Sequence, residues 1–534
     1  MASITKQRIG KYTYLYESVS YRDELGRPRN KKTKIGKIDT DTGGTIYTPE
    51  YRKRTEVSYA QPNILESEEI PVEARKYARE FLDSVKCYGV HWFLRKISEK
   101  IGLWDILQQA FPEIWQEIFT LACYLIVSDK PAMYCEDWLA ENEWLEVGSM
   151  SSQRISELFT KFDETHRYQF YRIWSKHIQE QEYLALDITS ISSYSEQIAD
   201  CEWGHNRDNE KLPQVNLCML YGEESRLPVF QTNYSGSLSD VTTLESTISE
   251  FHAVAGEREI MAVMDKGFYS TQNVNLLIKH GVRFLVSMSF AGNLAKQLVA
   301  NERNDIDQIS NVIHTSGAPI RGIHRDCDWP QSDHKLHAHI YFNPEKAVKE
   351  RNELYGHVAK LKDIAKNDSD NTKYKKDIAH YLAVQKADTA QGSIAFQVRE
   401  DIVAKTLETV GWFVLLSNHI DDPQSAYDVY RLKDVVEKSF WKYKNSLGLD
   451  RLRVHTDERA LNKTFIAFIS LILSSHIHNV LKIHQLYKTI TFDKLFLILA
   501  KLKSASIAGH RFLRPLTKQV KDIFRIFQIP SPVG

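Results

Sequence analysis

Hydrophobic and polar positions change rhythm several times along the chain. Residues 12–38 alternate, YTYLYESVSY and KKTKIGKID flanking the turn ELGRP, and predict a basic β-hairpin. From about residue 73 to 161, apolar positions such as Phe93, Ile97 and Ile101 recur at helical spacing and predict a helical segment, set off by a polar linker around 62–71. After residue 182 come three short strand-like runs, YLALDITSIS, VNLCMLYG and PVFQTNYSG. A helical pattern over 240–254, the strand EIMAVMD, a helix over 272–280 and the strand VRFLVSMS follow. The order β-β-β-α-β-α-β predicts a mixed sheet with helices on its faces. Residues 290–408 interrupt it with strand candidates HIYF and SIAFQV around two charged amphipathic helices, 344–364 and 372–388, read as a helical hairpin on a β-rich insertion. GWFVLLSN then returns to the core pattern, a long helix runs over 426–447, and the remainder reads as helical and basic. The predicted units are 1–60, 61–180, 181–289, 290–408, 409–450 and 451–534.

Composition is that of an ordinary globular chain, 43% hydrophobic and 26% charged, and 534 residues exceed what one core organises. The net charge is zero, but its distribution is uneven. Residues 1–54 hold 13 Lys/Arg against 6 Asp/Glu, and residues 430–534 hold 19 against 7. Basic ends on a neutral chain suit a polyanionic partner, and they equally suit solvated helix faces. Six widely spaced cysteines form no CxxC pair and read as reduced thiols. The N-terminus has no apolar signal region, and the apolar run 465–473 is too short to span a bilayer, so the expectation is a cytoplasmic protein without membrane contact.

In two predicted core strands an acid follows the apolar run, Asp187 after Tyr183–Leu186 in YLALDITSIS and Asp265 in MAVMDKGFYS. An acid at a strand end is often the cap of the next helix, but Ser270 and Thr271 lie closer to that helix. If the two strands are neighbours, both carboxylates reach one site. The helix over 426–447 offers a third acid. With Tyr430 as reference, Lys433, Glu437 and Lys444 fall at about −60°, −20° and −40° on the helix wheel, one stripe. Val429, Leu432, Val436, Phe440, Tyr443 and Leu447 form a separate apolar stripe, so Glu437 stands at the margin of the buried face. An exposed face with a Lys433–Glu437 ion pair explains those two residues, but not a tyrosine beside them. Three carboxylates with no histidine or thiolate suit hard cations, Mg²⁺ or Mn²⁺, and two such ions could drive an in-line phosphoryl displacement.

The stripe Tyr430, Lys433, Glu437, Lys444 resembles the Tyr-Arg-Glu-Lys signature of the DDE transposases of bacterial insertion sequences in the IS-four superfamily. The segments GHNRDNEKLPQVN, DKGFYS and YLYESVSYRDELGRPRNKKTKIGKID resemble the same family, so the likeness covers nearly the whole chain. Lys433 stands where the signature has Arg, keeping the charge without the bidentate fork. Arg431 lies about 160° away on the wheel and does not replace it.

The resemblance implies an RNase H-like, retroviral-integrase core with a β-rich insertion between the second Asp and the Glu. It implies that Asp187, Asp265 and Glu437 bind two Mg²⁺ or Mn²⁺ ions and are catalytic, while Tyr430, Lys433, Lys444 and Lys266 contact DNA. It further implies cleavage at the inverted-repeat ends of the element, joining of 3′-hydroxyls to target DNA, a homodimer or higher synaptic assembly, and a nucleoid-associated place in a bacterial cytoplasm. The 61–180 region with the N-terminal hairpin would recognise the ends. An RNase H-like nuclease that does not join strands and a DNA-binding relic without catalysis are the alternatives.

Other histidines are set aside. His324, Cys327, His334, His337 and His339 match no standard zinc-finger spacing and read as polar surface. His205 reads as a turn residue, and His476 and His478 as packing residues.

Overall fold

The computed structural model describes the chain apart from residues 1, 11, 24–25, 39–44, 52–53, 55–71, 179–182, 205–209, 223, 239, 257–260, 316, 330–334, 368–371, 387–393, 432, 434–439, 441–443, 445–446, 508–509 and 533–534. It divides into two units, Met1–Val85 with Ala505–His510, and Lys86–Ser504 with Arg511–Gly534.

The first unit carries a four-stranded antiparallel sheet ordered β1 (Ala2–Ile9), β2 (Tyr12–Arg22), β3 (Pro28–Ile38), β4 (Thr45–Tyr47), and the helix Val72–Ser84. The predicted hairpin is its centre, β2 with β3, turning at Gly26, whose φ of 74° only glycine adopts cheaply. Two further strands join because β1 pairs along eight residues of β2. Leu15 and Ile35 are its buried apolar residues, so little of this sheet is covered within the unit.

The second unit opens with β5 (Lys86–Cys87), whose partners are Ser504 and Lys503. The helices Gly89–Lys100, Leu103–Ala110, Trp115–Val127, Cys135–Glu141, Ser152–Leu158 and Glu164–Ile178 follow, as the 3.6-residue period predicts. They pack around helix Asp457–Ile483, capped by the Thr456 hydroxyl on the Arg459 amide, with Asp457 and Glu458 in its positive first turn. This is the one described helix long and apolar enough to cross a membrane, yet 78% of its apolar window is buried within the fold. The run 465–473 is thus the centre of a 27-residue core helix rather than a short isolated stretch.

The functional scaffold is a nine-stranded mixed sheet, giving an α/β class. Its strands are β6 (Tyr183–Ser192), β7 (Gln214–Gly222), β8 (Pro228–Ser235), β9 (Met261–Met264), β10 (Arg283–Ser287), β11 (Val312–Ile313), β12 (Ile320–Asp328), β13 (Lys335–Phe342) and β16 (Trp412–Ser417). Their spatial order is β11-β12-β13-β16-β10-β9-β6-β7-β8. β9 runs parallel to both β6 and β10, and the other pairings are antiparallel. β7 is buried at every position, which fits its continuous apolar run. Trp174 ties helix Glu164–Ile178 to the sheet edge through a 2.8 Å bond from its indole N–H to the Pro228 carbonyl.

Three expectations need correction. Residues 290–408 do not stand apart from the sheet: β11, β12 and β13 extend it, because β13 pairs with β16 over six residues and covers an otherwise open edge. The second predicted insertion helix stops early. Helix Pro344–Asn367 is followed by the short helix Lys375–Tyr381, and the alternating LAVQK then pairs as β14 (Leu382–Lys386) with β15 (Ile394–Val398). The C-terminal region is not all helical either. β17 (Lys503–Ile507) and β18 (His510–Leu513) lie between helices Phe492–Leu499 and Lys518–Ile526, since strand pairing with β5 overrides local propensity.

Candidate active site

The site begins with strand register. β6 and β9 pair Tyr183 with Met261 through Leu186 with Met264, so the next positions, Asp187 in the middle of β6 and Asp265 just past the end of β9, stand side by side. In the same way Val286 pairs with Met264, which brings Ser287 beside Asp265 on the other flank. One polar row thus crosses three central strands.

Asp187 is 4% exposed, and its Oδ1 accepts from the Ile188 amide at 2.8 Å. Asp265 is about a third exposed, 34% for the side chain. Sequence logic assigned the helix cap to Ser270, and Ser270 does accept from the Asn273 amide at 3.0 Å to start helix Thr271–Lys279. Asp265 has a smaller capping task of its own, taking the Lys266 amide at 2.7 Å to open the 3-10 turn Lys266–Phe268. Phe268, 1% exposed, anchors that turn in the core; fully burying such a ring is worth about 1.5–3 kcal/mol.

Helix Pro423–Tyr430 and the residues just beyond it bring Tyr430 and Lys433 to Asp265. It is capped by Asp422 on the Ser425 amide at 2.7 Å, with Pro423 in its first turn, and Ala426 and Val429 bury its inner face. At its end the Tyr430 hydroxyl donates to Asp265 Oδ1 at 3.3 Å, and the Lys433 ammonium sits 3.2 Å from Oδ2. Lys433 is 7% exposed, which rules out the solvated-face reading for this residue. Its contact is to the acid, where the sequence placed it at DNA phosphates.

The electrostatics follow from these contacts. Burial pushes the Asp265 carboxyl up, but the Lys433 ammonium, the Lys266 amide and the Lys266 charge outweigh it and hold it below the usual carboxylate range. Burial and the adjacent Asp265 charge push the Tyr430 phenol up to about 12, so it stays protonated and donates. Ser287 also bonds Tyr430, a partner that sequence reasoning missed. Its signal is in the sequence: in VRFLVS a polar residue follows the apolar run, as an aspartate does in YLALD and MAVMD.

Glu437 lies outside the described residues, as do Leu432, Val436 and Tyr443 of the apolar stripe. Phe440 and Leu447 of that stripe are buried. Lys266 is exposed at the rim of the acid pair. Lys444 is not brought to Asp265. It lines a separate cleft of about 640 Å³ together with Lys130, Arg453, Arg459 and Lys463. Its charge also reaches Glu210, which the Ser192 hydroxyl and Arg451 hold ionised at 2.6 Å each, at the C-terminal end of β6. Burial pushes Lys463 down to about 8, and its ammonium donates to the Leu452 carbonyl at 2.6 Å.

The acid pair fits a hard divalent cation. Its donors are carboxylate oxygens, and Asp265 Oδ2, with Lys433 as the one partner described for it, keeps lone-pair capacity. Among the remaining histidines, His205 and His334 lie outside the described residues. His476 is half-buried, with its pKa pushed down to about 4 by desolvation, and His478 stacks on Phe492 at 4.3 Å, so both act in packing.

A sequence model of the family described as "Transposase DDE domain" matches residues 178–473, more than half of the chain. No curated protein matches. Eight chains of solved structures match, among them the cryo-EM structure of the piggyBac transposase synaptic complex with hairpin DNA. That protein is 12% identical, with a TM-score of 0.32 over 72% of this chain and 66% of its own, so the chain spans slightly under two-thirds of its length. The family model carries the assignment: the chain belongs to the DDE-domain transposases.

Proposed function

We propose that this protein is the transposase of a bacterial insertion sequence, of the Tyr-Arg-Glu-Lys signature type, built on an RNase H-like core. It cleaves DNA at the terminal inverted repeats of its element and joins the freed 3′-hydroxyls to target DNA, acting as a dimer or higher synaptic assembly. The observation that carries the reading is the side-by-side register of Asp187 and Asp265 on parallel strands, with Tyr430 and Lys433 both on Asp265.

Asp187, Asp265 and Glu437 would hold Mg²⁺ or Mn²⁺, two ions per site. When bound, the ions would lower the pKa of an attacking water or 3′-hydroxyl and neutralise charge on the leaving oxygen. The chain's own contribution is positional. Lys433 keeps Asp265 ionised without a metal, Tyr430 fixes its Oδ1, and the paired central strands β6 and β9 hold both carboxylates on rigid backbone. Lys266 at the rim and Lys444 in the basic cleft are suited to DNA phosphates, which a lysine meets as a point charge. In cleavage the water oxygen bonds to phosphorus as the bond to the 3′ oxygen breaks. In joining, that 3′ oxygen bonds to a target phosphorus as the target strand's own bond from phosphorus to its 3′ oxygen breaks, releasing a target 3′-hydroxyl, and no covalent protein intermediate is needed.

The test uses the DNA flanking this gene, purified protein, Mg²⁺ or Mn²⁺, and the variant Glu437→Gln. Strand-specific cuts at inverted repeats with joined products, absent in the variant, support the whole reading. Cuts that never lead to joined products favour an RNase H-like nuclease, and binding without cuts under either metal favours a DNA-binding relic.

A further inference from the structure

Two histidines and an aspartate of the histidine-rich segment gather at one point of the sheet. β12 and β13 pair His324 with His339 and Asp326 with His337, so these four side chains share one face of the sheet. Three of their donor atoms converge. His324 Nε2 lies 3.1 Å from His337 Nδ1, Asp326 Oδ1 lies 3.6 Å from the first nitrogen, and the same oxygen lies 3.9 Å from the second. A circle through three atoms so spaced has a radius of about 2.1 Å, within the 2.0–2.2 Å of zinc bonds to imidazole nitrogen and carboxylate oxygen.

We propose that His324, Asp326 and His337 bind a divalent transition cation of the Zn²⁺ class, at a site separate from the acid pair. The two imidazole nitrogens are within hydrogen-bond distance of each other, but the carboxylate is bonded to neither. A charge-assisted bond to an imidazole would draw it to about 2.7–2.9 Å. Its oxygen instead stands 3.6 and 3.9 Å from the two nitrogens, the spacing of ligand atoms around a common centre. Two imidazoles with one carboxylate is a borderline donor set, distinct from the oxygen-only set of Asp187 and Asp265. The histidine side chains are 29% and 27% exposed and that of Asp326 is 60% exposed, so an ion has an entry path and a position for solvent.

The surroundings support the site. His339 is fully buried beside His324, with ring centroids 5.4 Å apart. Its Nε2 meets the Ile420 carbonyl at 2.9 Å, which assigns the proton to Nε2 and leaves Nδ1 a lone pair, buried with no hydrogen-bond partner among the described residues. Ile420 belongs to the loop leading into helix Pro423–Tyr430, whose far end bonds Asp265. The cation therefore clamps β12 to β13 beside the start of the segment that ends on the acid pair. Four strand spacings, about 19 Å, separate β12 from β9.

The test is Co²⁺ titration of the full-length protein in excess Mg²⁺, which occupies an oxygen-only site, read by visible absorption and by bound-metal analysis. The expected result is one equivalent of Co²⁺ with visible bands, displaced by Zn²⁺. Affinity should fall at least 10- to 100-fold in Asp326→Asn and in His337→Gln, the losses typical of outer-shell changes being the lower bound. Asp326→Asn alters an exposed carboxylate isosterically, and its metal-free circular dichroism and melting should match wild type, so its loss of binding is not misfolding. No Co²⁺ bound by wild type, or unchanged affinity in both variants, would overturn the site.

Discussion

Along one row of the nine-stranded sheet stand two clusters with opposite chemistry. Asp187, Asp265 and Ser287 occupy three central strands, and through Leu415 on β16 the same register continues to His339 and His324. The central cluster offers oxygens on adjoining buried strands, with a lysine held on one acid. The outer cluster offers nitrogens on the strands that extend the sheet, with an exposed carboxylate. The difference teaches what a strand row can do: register sets which groups meet, and the donor atoms set which ion they suit.

The comparison can be broken from its strongest side first. Asp187→Asn or Asp265→Asn should reduce DNA cleavage by about 10³-fold or more, since a metal site supplies several kcal/mol at about 1.4 kcal/mol per tenfold. A cleavage assay in which either variant retains a tenth of wild-type rate would remove the acid pair from the chemistry. Next, His337→Gln should weaken transition-metal binding while leaving Mg²⁺-dependent cleavage within roughly twofold if the two clusters are independent ion sites. Loss of both together would merge them.

Lys433→Met comes third, with a fall of about tenfold in cleavage at neutral pH. Its pH dependence sharpens the point. Asp265 is held below the ordinary carboxylate range, so its stabilising effect is complete above about pH 4 and is lost as pH falls through the lower folded value. Without Lys433 the burial cost is less opposed, and the acid limb of the activity profile should move to higher pH. An unmoved limb would mean that Lys433 does not set the charge of Asp265. The smallest effect belongs to Tyr430→Phe, which removes one hydrogen bond and should cost about 2- to 10-fold in rate.

Much of the central cluster was legible because its cause is local. An apolar run followed by aspartate, twice, with Ser270 taking over the helix cap after the second, can be read from YLALDITSIS and MAVMDKGFYS alone. The pairing of Tyr430 and Lys433 was legible as a stripe, but not its target. Whether a lysine faces DNA or an acid depends on where helix Pro423–Tyr430 docks on the sheet. The outer cluster was illegible for a different reason. Metal-site spacing rules look for ligands close in sequence, whereas His324 and His337 meet because the β12–β13 register folds 13 residues back on themselves. The same register explains why β11, β12 and β13 were read as an insertion rather than as sheet: nothing within them announces that β16 needs a partner. In the first unit, the strand β1 was missed because ASITKQRI carries no clear alternation.

The central claim is that Asp265 is a metal ligand, and the variant Asp265→Cys tests it most directly in a cleavage assay run in Mg²⁺ and in Mn²⁺. A thiolate suits the softer ion, so cleavage should be lost in Mg²⁺ and substantially restored in Mn²⁺. Cleavage equally absent in both, while Asp187 variants and wild type respond alike to the exchange of metals, would contradict the assignment.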